Sequence, residues 1–419
     1  FMSEKTAKNS RLISFAILII AFVMYGQSST GPIIANIIAD CPGYDPTLIS
    51  MIQTYPTVGI VATSLTYGFL SRRFSSRTLL VAATVLYVAG GVAPAFLGTD
   101  IPAILACRIV LGLGLGIYCS LPVALIAENF QGNEGASLNG FVQVSASLGT
   151  VAFQTVAGFL AAIDWHMVMY IALISIVACV IALVLLPKNV KTTEEAAAAS
   201  KVTEDEKAAR AALSFSQKFP PIVICYWVEI FLFVGGIALL MMNASIVIES
   251  KGFGTAVDAA TALNVHTICG IVAGIIFGAI FKRFTEYLPF VAAVFACVAY
   301  LCLGFASNLT MVVIGAGLLG FAAPWTCASL FQLIGKYAAP VAAGMACSIA
   351  VALQFGSQFL LGYWAPAACN LIGLNYTNGT DPFLFYAIIF GILAVAHLIQ
   401  SVSGSKKRQA ALLERVDPE

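Results

Sequence analysis

Four ionisable side chains stand inside long apolar runs: Arg108, Glu229, His266 and His397. A charge surrounded by hydrocarbon costs at least a few kcal/mol, so such groups face polar cavities or one another, and each is a functional candidate. Glu229 lies two turns past Pro221, roughly 12 Å along a helix at 1.5 Å per residue. Burial disfavours the charged form of a carboxyl, the property a proton carrier needs. Glu229 is therefore the first proton-coupling candidate. His266, an imidazole suited to titration near neutrality, is the second; the competing reading gives it one satisfied hydrogen bond. His397 stands near the end of the last apolar run and reads as interfacial. Arg108 suits an anionic group on a solute, or a salt-bridge partner. The second half of the chain holds no other deep cation, so a dianion clamp is not expected. A monoanionic, zwitterionic or neutral polar solute fits better.

Uncharged polar residues in the same runs supply further candidate solute ligands: Gln53, Gln143, Asn243, Asn264, Trp325, Gln354 and Gln358. Gln143 and Gln154 stand three helical turns apart and share a face, and Gln354 and Gln358 do so at i, i+4. Amides are costly in hydrocarbon without partners or water. They either line a central cavity or hold helices together by interhelical hydrogen bonds. A tryptophan such as Trp325 is more often a packing anchor than a solute platform.

The elements that must position these residues are set by composition. Hydrophobic residues make up 60% of the 419, charged residues 10%, and the mean hydropathy is +0.94. A soluble domain carries about 25% charge. Spans of roughly 20 residues cross the hydrocarbon core, and only helices of this length satisfy their own backbone there. Twelve are expected: 12–36, 47–71, 78–98, 101–127, 137–162 and 167–187, then 222–248, 256–281, 287–306, 309–334, 341–367 and 382–403. The expected fold is all-α and integral to the membrane, with two pseudo-symmetric six-helix bundles. These occupy 1–187 and 221–419 and are joined by a polar loop over 188–220. Ala196–Leu213 in that loop has the charge pattern of a surface helix or a solvated linker.

Basic residues set the orientation. Arg11, Arg72, Arg73, Arg77, Lys282, Arg283, Lys336 and Lys406 fall on one side. Asp40, Asp45, Asp100, Asp164 and Asp258 fall on the other. Both termini are expected in the cytoplasm of a bacterial inner or plasma membrane, with the first span retained. The net charge of +1 carries no partner information once this asymmetry is removed. Most of the 11 cysteines fall inside spans, and none has zinc-ligand spacing. Cys41 and Cys369 are the one pair placed for a bridge. No phosphate loop or nucleophile–base set points to an enzyme, the basic residues are topological rather than nucleic-acid-binding, and no cofactor or metal is implied. The partners expected are a small-molecule substrate, protons and membrane lipid, with the chain acting as a monomer.

The string Gly68-Phe-Leu-Ser-Arg72-Arg73-Phe74 is echoed about 210 residues later by Gly278-Ala-Ile-Phe-Lys282-Arg283-Phe284. Each copy follows the second apolar run of its half, so the chain reads as a duplicated bundle, which commonly builds a solute site between repeats. At this point the chain resembles the major facilitator superfamily (MFS) of secondary transporters, over nearly its whole length. The turn is similar to the family's G-x-x-x-D-R-x-G-R-R signature. Gly68, Arg73 and Arg77 match, as do Gly278 and Arg283, which the resemblance implies are gating residues. Arg72 and Lys282 replace the signature's acid, moving any cytoplasmic latch to residues such as Glu128 or Glu134. Arg108-Ile-Val-Leu-Gly112-Leu-Gly114-Leu-Gly116 resembles the family's R-x-x-x-G-x-G-x-G pattern in the fourth span. The fifth span has Gly149 and Gly158 but no proline, unlike the family's drug–proton antiporters. The resemblance implies alternating access, with a drug/proton antiporter for lipophilic or cationic compounds as the alternative.

Overall fold

The computed structural model describes residues 2–130, 132–186, 214–284, 287–339 and 342–416. Most of the expected central loop, with its charged segment 196–213, lies outside the described residues. Among the described residues, eleven helical segments are long and apolar enough to cross a membrane. Spans one to six are Arg11–Asp40, Pro46–Ser71, Ser76–Phe96, Ile101–Ile126, Leu138–Ala161 and Trp165–Leu185. Spans seven, eight, ten, eleven and twelve are Pro221–Ser250, Ala256–Phe277, Leu309–Tyr337, Met345–Leu371 and Asp381–Ser401. Between eight and ten lies Leu288–Gly304, apolar but only 17 residues long, about 25 Å at helical rise. It is the twelfth, span nine. Large apolar side chains such as Leu65, Val184 and Ile275 point outward, as a lipid-facing surface requires.

Several spans begin where a side chain satisfies an orphan N–H. Asp45 accepts from Thr47 N–H at 2.7 Å, Asp100 from Ala103 N–H at 3.2 Å, and Asn308 from Met311 N–H at 3.0 Å. Asp164 accepts from His166 N–H at 2.9 Å. That backbone bond, followed by the one to the His166 side chain, holds the exposed Asp164 carboxyl below its usual range. Asp258 reaches back to Thr255 N–H at 2.8 Å, as in a capping box. Span one is not one uninterrupted α-helix. After Val23 it tightens into a 3-10 segment, Gly26–Ile33, and resumes at Ile34–Asp40. Pro32 sits inside the tightened segment and removes a backbone donor there.

The chain forms two compact units. The first comprises Phe1–Ser214, Met241–Asn264 and Gln354–Gly362; the second comprises Phe215–Leu240, Val265–Leu353 and Tyr363–Glu419. The first thus includes the C-terminal end of span seven, the N-terminal end of span eight and a central stretch of span eleven. Within it, span four packs on spans two and three, and span one on spans five and six. Glycines set the closeness of these contacts. A Cβ on Gly112 would strike the carbonyl of Pro56, and one on Gly116 would lie 2.7 Å from Thr63 Cβ. Gly114, on the opposite face, would lie 2.6 Å from Ala83 O. The glycine run therefore serves two neighbours at once. In the second unit, span nine packs on spans ten and twelve, and its Leu288 and Ala292 cluster with Ala273 of span eight and Trp325 of span ten.

Candidate functional site

The first unit buries Arg108 in span four at 2% exposure. Its Nη2 lies 3.0 Å from the sulfur of Met169, a weak acceptor. Its Nε has no hydrogen-bond partner among the described residues. No described carboxylate forms an ion pair with it. A small cavity reaches the guanidinium, lined by Ser29, Tyr87, Leu111, Val168 and Met169 among others.

Polar residues of the same unit bind one another. Thr30 donates to the Gln53 amide oxygen. Asn264 donates to Thr155 Oγ1 at 2.7 Å, leaving its own Oδ1 without a partner among the described residues. Gln154 is fully buried, with Nε2 3.8 Å from Met241 sulfur. Asn243 is buried, and Gln354 and Gln358 are half-buried. Gln143 is exposed. It shares an angular face with Gln154 but is not buried with it.

The second unit pairs Glu229 of span seven with His397 of span twelve. His397 Nε2 lies 2.8 Å from Glu229 Oε1, and the two side chains are 6% and 5% exposed. One turn away on each helix, Gln400 donates to Tyr226 Oη at 2.6 Å. His397 thus stands inside the packed unit as the partner of the acid. His266 is buried elsewhere, with Nδ1 3.2 Å from Ala316 O. Trp325 donates to Ala273 O at 3.1 Å and packs edge-on against Phe295, a packing anchor's contacts.

Among the residues assigned to gating, Arg77 has the clearest contacts. Its Nη2 donates to Leu183 O at 2.7 Å and also to Leu186 O, binding the free carbonyls at the end of span six where a cation is favourable. Arg73 and Gly68 are exposed, and a Cβ on Gly68 would meet nothing within 4 Å. The side chains of Arg72, Glu128, Gly278, Lys282 and Arg283 lie outside the described residues; Glu134 is exposed. Cys41 and Cys369 are both free thiols.

The long apolar helices of the described residues define a multi-pass membrane protein. The sequence pattern of the Major Facilitator Superfamily matches residues 16–362, and the chain belongs to that family. An arabinose-proton symporter of Escherichia coli K12 is 27% identical over 133 residues, 32% of this chain and 28% of that protein. One from Bacillus subtilis is 34% identical over 94 residues, 22% of this chain and 20% of that one. The matched segments therefore span less than a third of those relatives' own length. Similar solved structures include a D-xylose-proton symporter, with TM-score 0.70 and 18% identity over 93% of this chain and 96% of the other. A nucleoside transporter, NupG, has TM-score 0.69 and 12% identity over 92% and 98%. At such identities the likeness is one of fold.

Proposed function

We propose that this chain carries a small polar solute across a bacterial inner or plasma membrane by alternating access, coupled to protons through Glu229. The observation that carries the coupling is the buried Glu229–His397 pair. It joins a carboxyl and an imidazole at 2.8 Å, away from water. Such a pair can hold or release a proton with little movement of heavy atoms. The coordinating amides for the solute come from the Gln53, Asn243, Asn264, Gln354 and Gln358 set. The half-buried positions of Asn264, Gln354 and Gln358 and the Asn264 Oδ1, unpartnered among the described residues, support recognition of hydroxyl-bearing or amide-bearing groups. The names of the similar proteins, sugar-proton symporters and a nucleoside transporter, support neutral polar cargo within the range of neutral, zwitterionic and monoanionic solutes. The proline-free fifth span speaks against the drug/proton antiporter. Both termini face the cytoplasm in this reading, the unit is a monomer, and Arg73 and Arg77 flank the moving cytoplasmic turn.

The test is uptake into proteoliposomes carrying an imposed pH gradient, with pentoses, nucleosides, amino acids and monocarboxylates as labelled solutes. Gradient-driven accumulation of one solute class is expected. Glu229→Gln is expected to abolish accumulation while leaving solute exchange without a gradient. Full gradient-driven uptake in Glu229→Gln would remove Glu229 from the coupling.

A further inference from the structure

We infer that the cavity beside Arg108 is a binding site for one small monovalent anion of the halide class, held as a resident counter-ion whichever solute is carried. The argument starts from charge. Arg108 is buried at 2% exposure, and the strongest contact the protein gives it is a thioether. Among the described residues it has no ion-pair partner, and its Nε–H is left over. A guanidinium stays protonated in proteins, and a buried charge without a counter-charge is strongly destabilising. An anion from solution supplies what the chain does not.

Geometry then limits the anion. The cavity is small, with room for little more than one water-sized particle. A sugar ring or a sulfate is too large. A chloride ion fits once the flexible Met169 side chain gives slightly, as a thioether can. The donors also suit a single anion. Arg108 and Tyr87 both line the cavity, and Arg108 Nε–H has no hydrogen-bond partner among the described residues. The Ser29 hydroxyl, also on the wall, is occupied with Gly26 O at 3.0 Å. The remaining lining of Leu111, Val168, Met169 and Ala172 keeps the local dielectric low, which strengthens attraction between unlike charges. One cation in such a place balances one negative charge.

The experiment is thermal unfolding of the purified full chain in detergent, exchanged into sodium gluconate and titrated with chloride, bromide, sulfate, formate or acetate at constant ionic strength. A ligand of the folded state raises the melting temperature saturably. Saturable shifts are expected with chloride and bromide and none with sulfate. Arg108→Gln is expected to lose the halide response. Tyr87→Phe keeps the cation and removes one donor; it should need several-fold more chloride for half the shift, and it serves if Arg108→Gln does not fold. Bromide soaked into crystals should give an anomalous peak beside Arg108. A melting temperature indifferent to halide overturns the inference, as does a halide response that survives in Arg108→Gln. A response to formate and acetate without one to halides also overturns it, and assigns the cavity to a carboxylate group on the solute instead.

Discussion

Glu229 and His397 each offset part of the other's burial penalty. Taken singly, each is a polar group in a nearly water-free place; together they form one hydrogen-bonded unit. Removing one partner leaves the other buried and unsatisfied, a loss of about 3–5 kcal/mol for a buried pair. Replacing both with neutral groups of similar shape, Glu229→Gln with His397→Asn, is expected to cost less than the two single changes added together. The non-additivity should be about 1–3 kcal/mol, read as a double-mutant cycle on chemical or thermal unfolding. Strict additivity would mean that the 2.8 Å contact contributes nothing to the fold. At this scale the sequence is partly legible. Arg108 and Glu229 stand out because a charge in an apolar run has no cheap explanation. His397 does not, because it lies near the end of the last run, where an interfacial histidine is equally consistent with the pattern. Which group meets Glu229 depends on how spans seven and twelve pack, and local residue order carries no record of that. His266 illustrates the converse: its place in an apolar run is plain, but its partner is only a backbone carbonyl.

At the scale of elements, the division of acids and bases that suggests a membrane orientation has a second physical origin. The acids gather where even-numbered spans begin. Asp45, Asp100, Asp164 and Asp258 each accept a backbone N–H there, and Asp40 accepts the Trp165 indole N–H at 2.7 Å. Negative charge is favourable at a helix N-terminus and positive charge at a C-terminus, and Arg77 on the last carbonyls of span six follows the second half of that rule. These caps are legible, since Asp or Asn ahead of an apolar run is a start signal. The glycines are less so, because sequence does not reveal which of them touches a neighbour. Gly149 and Gly68 separate the cases. A Cβ on Gly149 would collide with the carbonyl of Phe22, whereas one on Gly68 meets nothing within 4 Å. Gly149→Val is expected to destabilise the protein by about 1–3 kcal/mol, as overpacking does, or to prevent folding. Gly68→Ala should melt at or above the parent, since alanine is favoured over glycine inside a helix by roughly 0.5–1 kcal/mol. Thermal unfolding of the two variants side by side checks both.

At the scale of the whole molecule, the repeat first seen in a basic turn reappears in packing. A Cβ on Gly26 would run into the hydroxyl of Tyr87; about 210 residues later, one on Gly236 would run into the hydroxyl of Tyr300. Gly112 lies against the carbonyl of Pro56, and Gly320 against the carbonyl of His266. The packing device is kept in both halves while the polar groups beside it differ. Counting from the same glycines, Arg108 in the fourth span corresponds to Ala316 in the tenth. The first half thus holds a buried cation where the second holds an alanine whose carbonyl faces His266. If the two glycine–tyrosine contacts are equivalent, they should fail and recover alike. Gly26→Ala and Gly236→Ala should each destabilise, because the tyrosine ring must move out of a packed position. Tyr87→Phe should rescue the first, since removing the hydroxyl leaves Cζ at 2.9 Å as the nearest atom to the new methyl group, a clash that a small ring shift relieves. Tyr300→Phe should rescue the second less completely. There Tyr386 Cδ1 also stands 2.9 Å from the added Cβ, and losing the Tyr300 hydroxyl does nothing for that contact. Unfolding midpoints of the four single and two double variants test this. Rescue in both halves, weaker in the second, is the outcome expected of a duplicated contact that has acquired one extra neighbour. No rescue in either half would mean that the two tyrosine hydroxyls do not set the helix spacing.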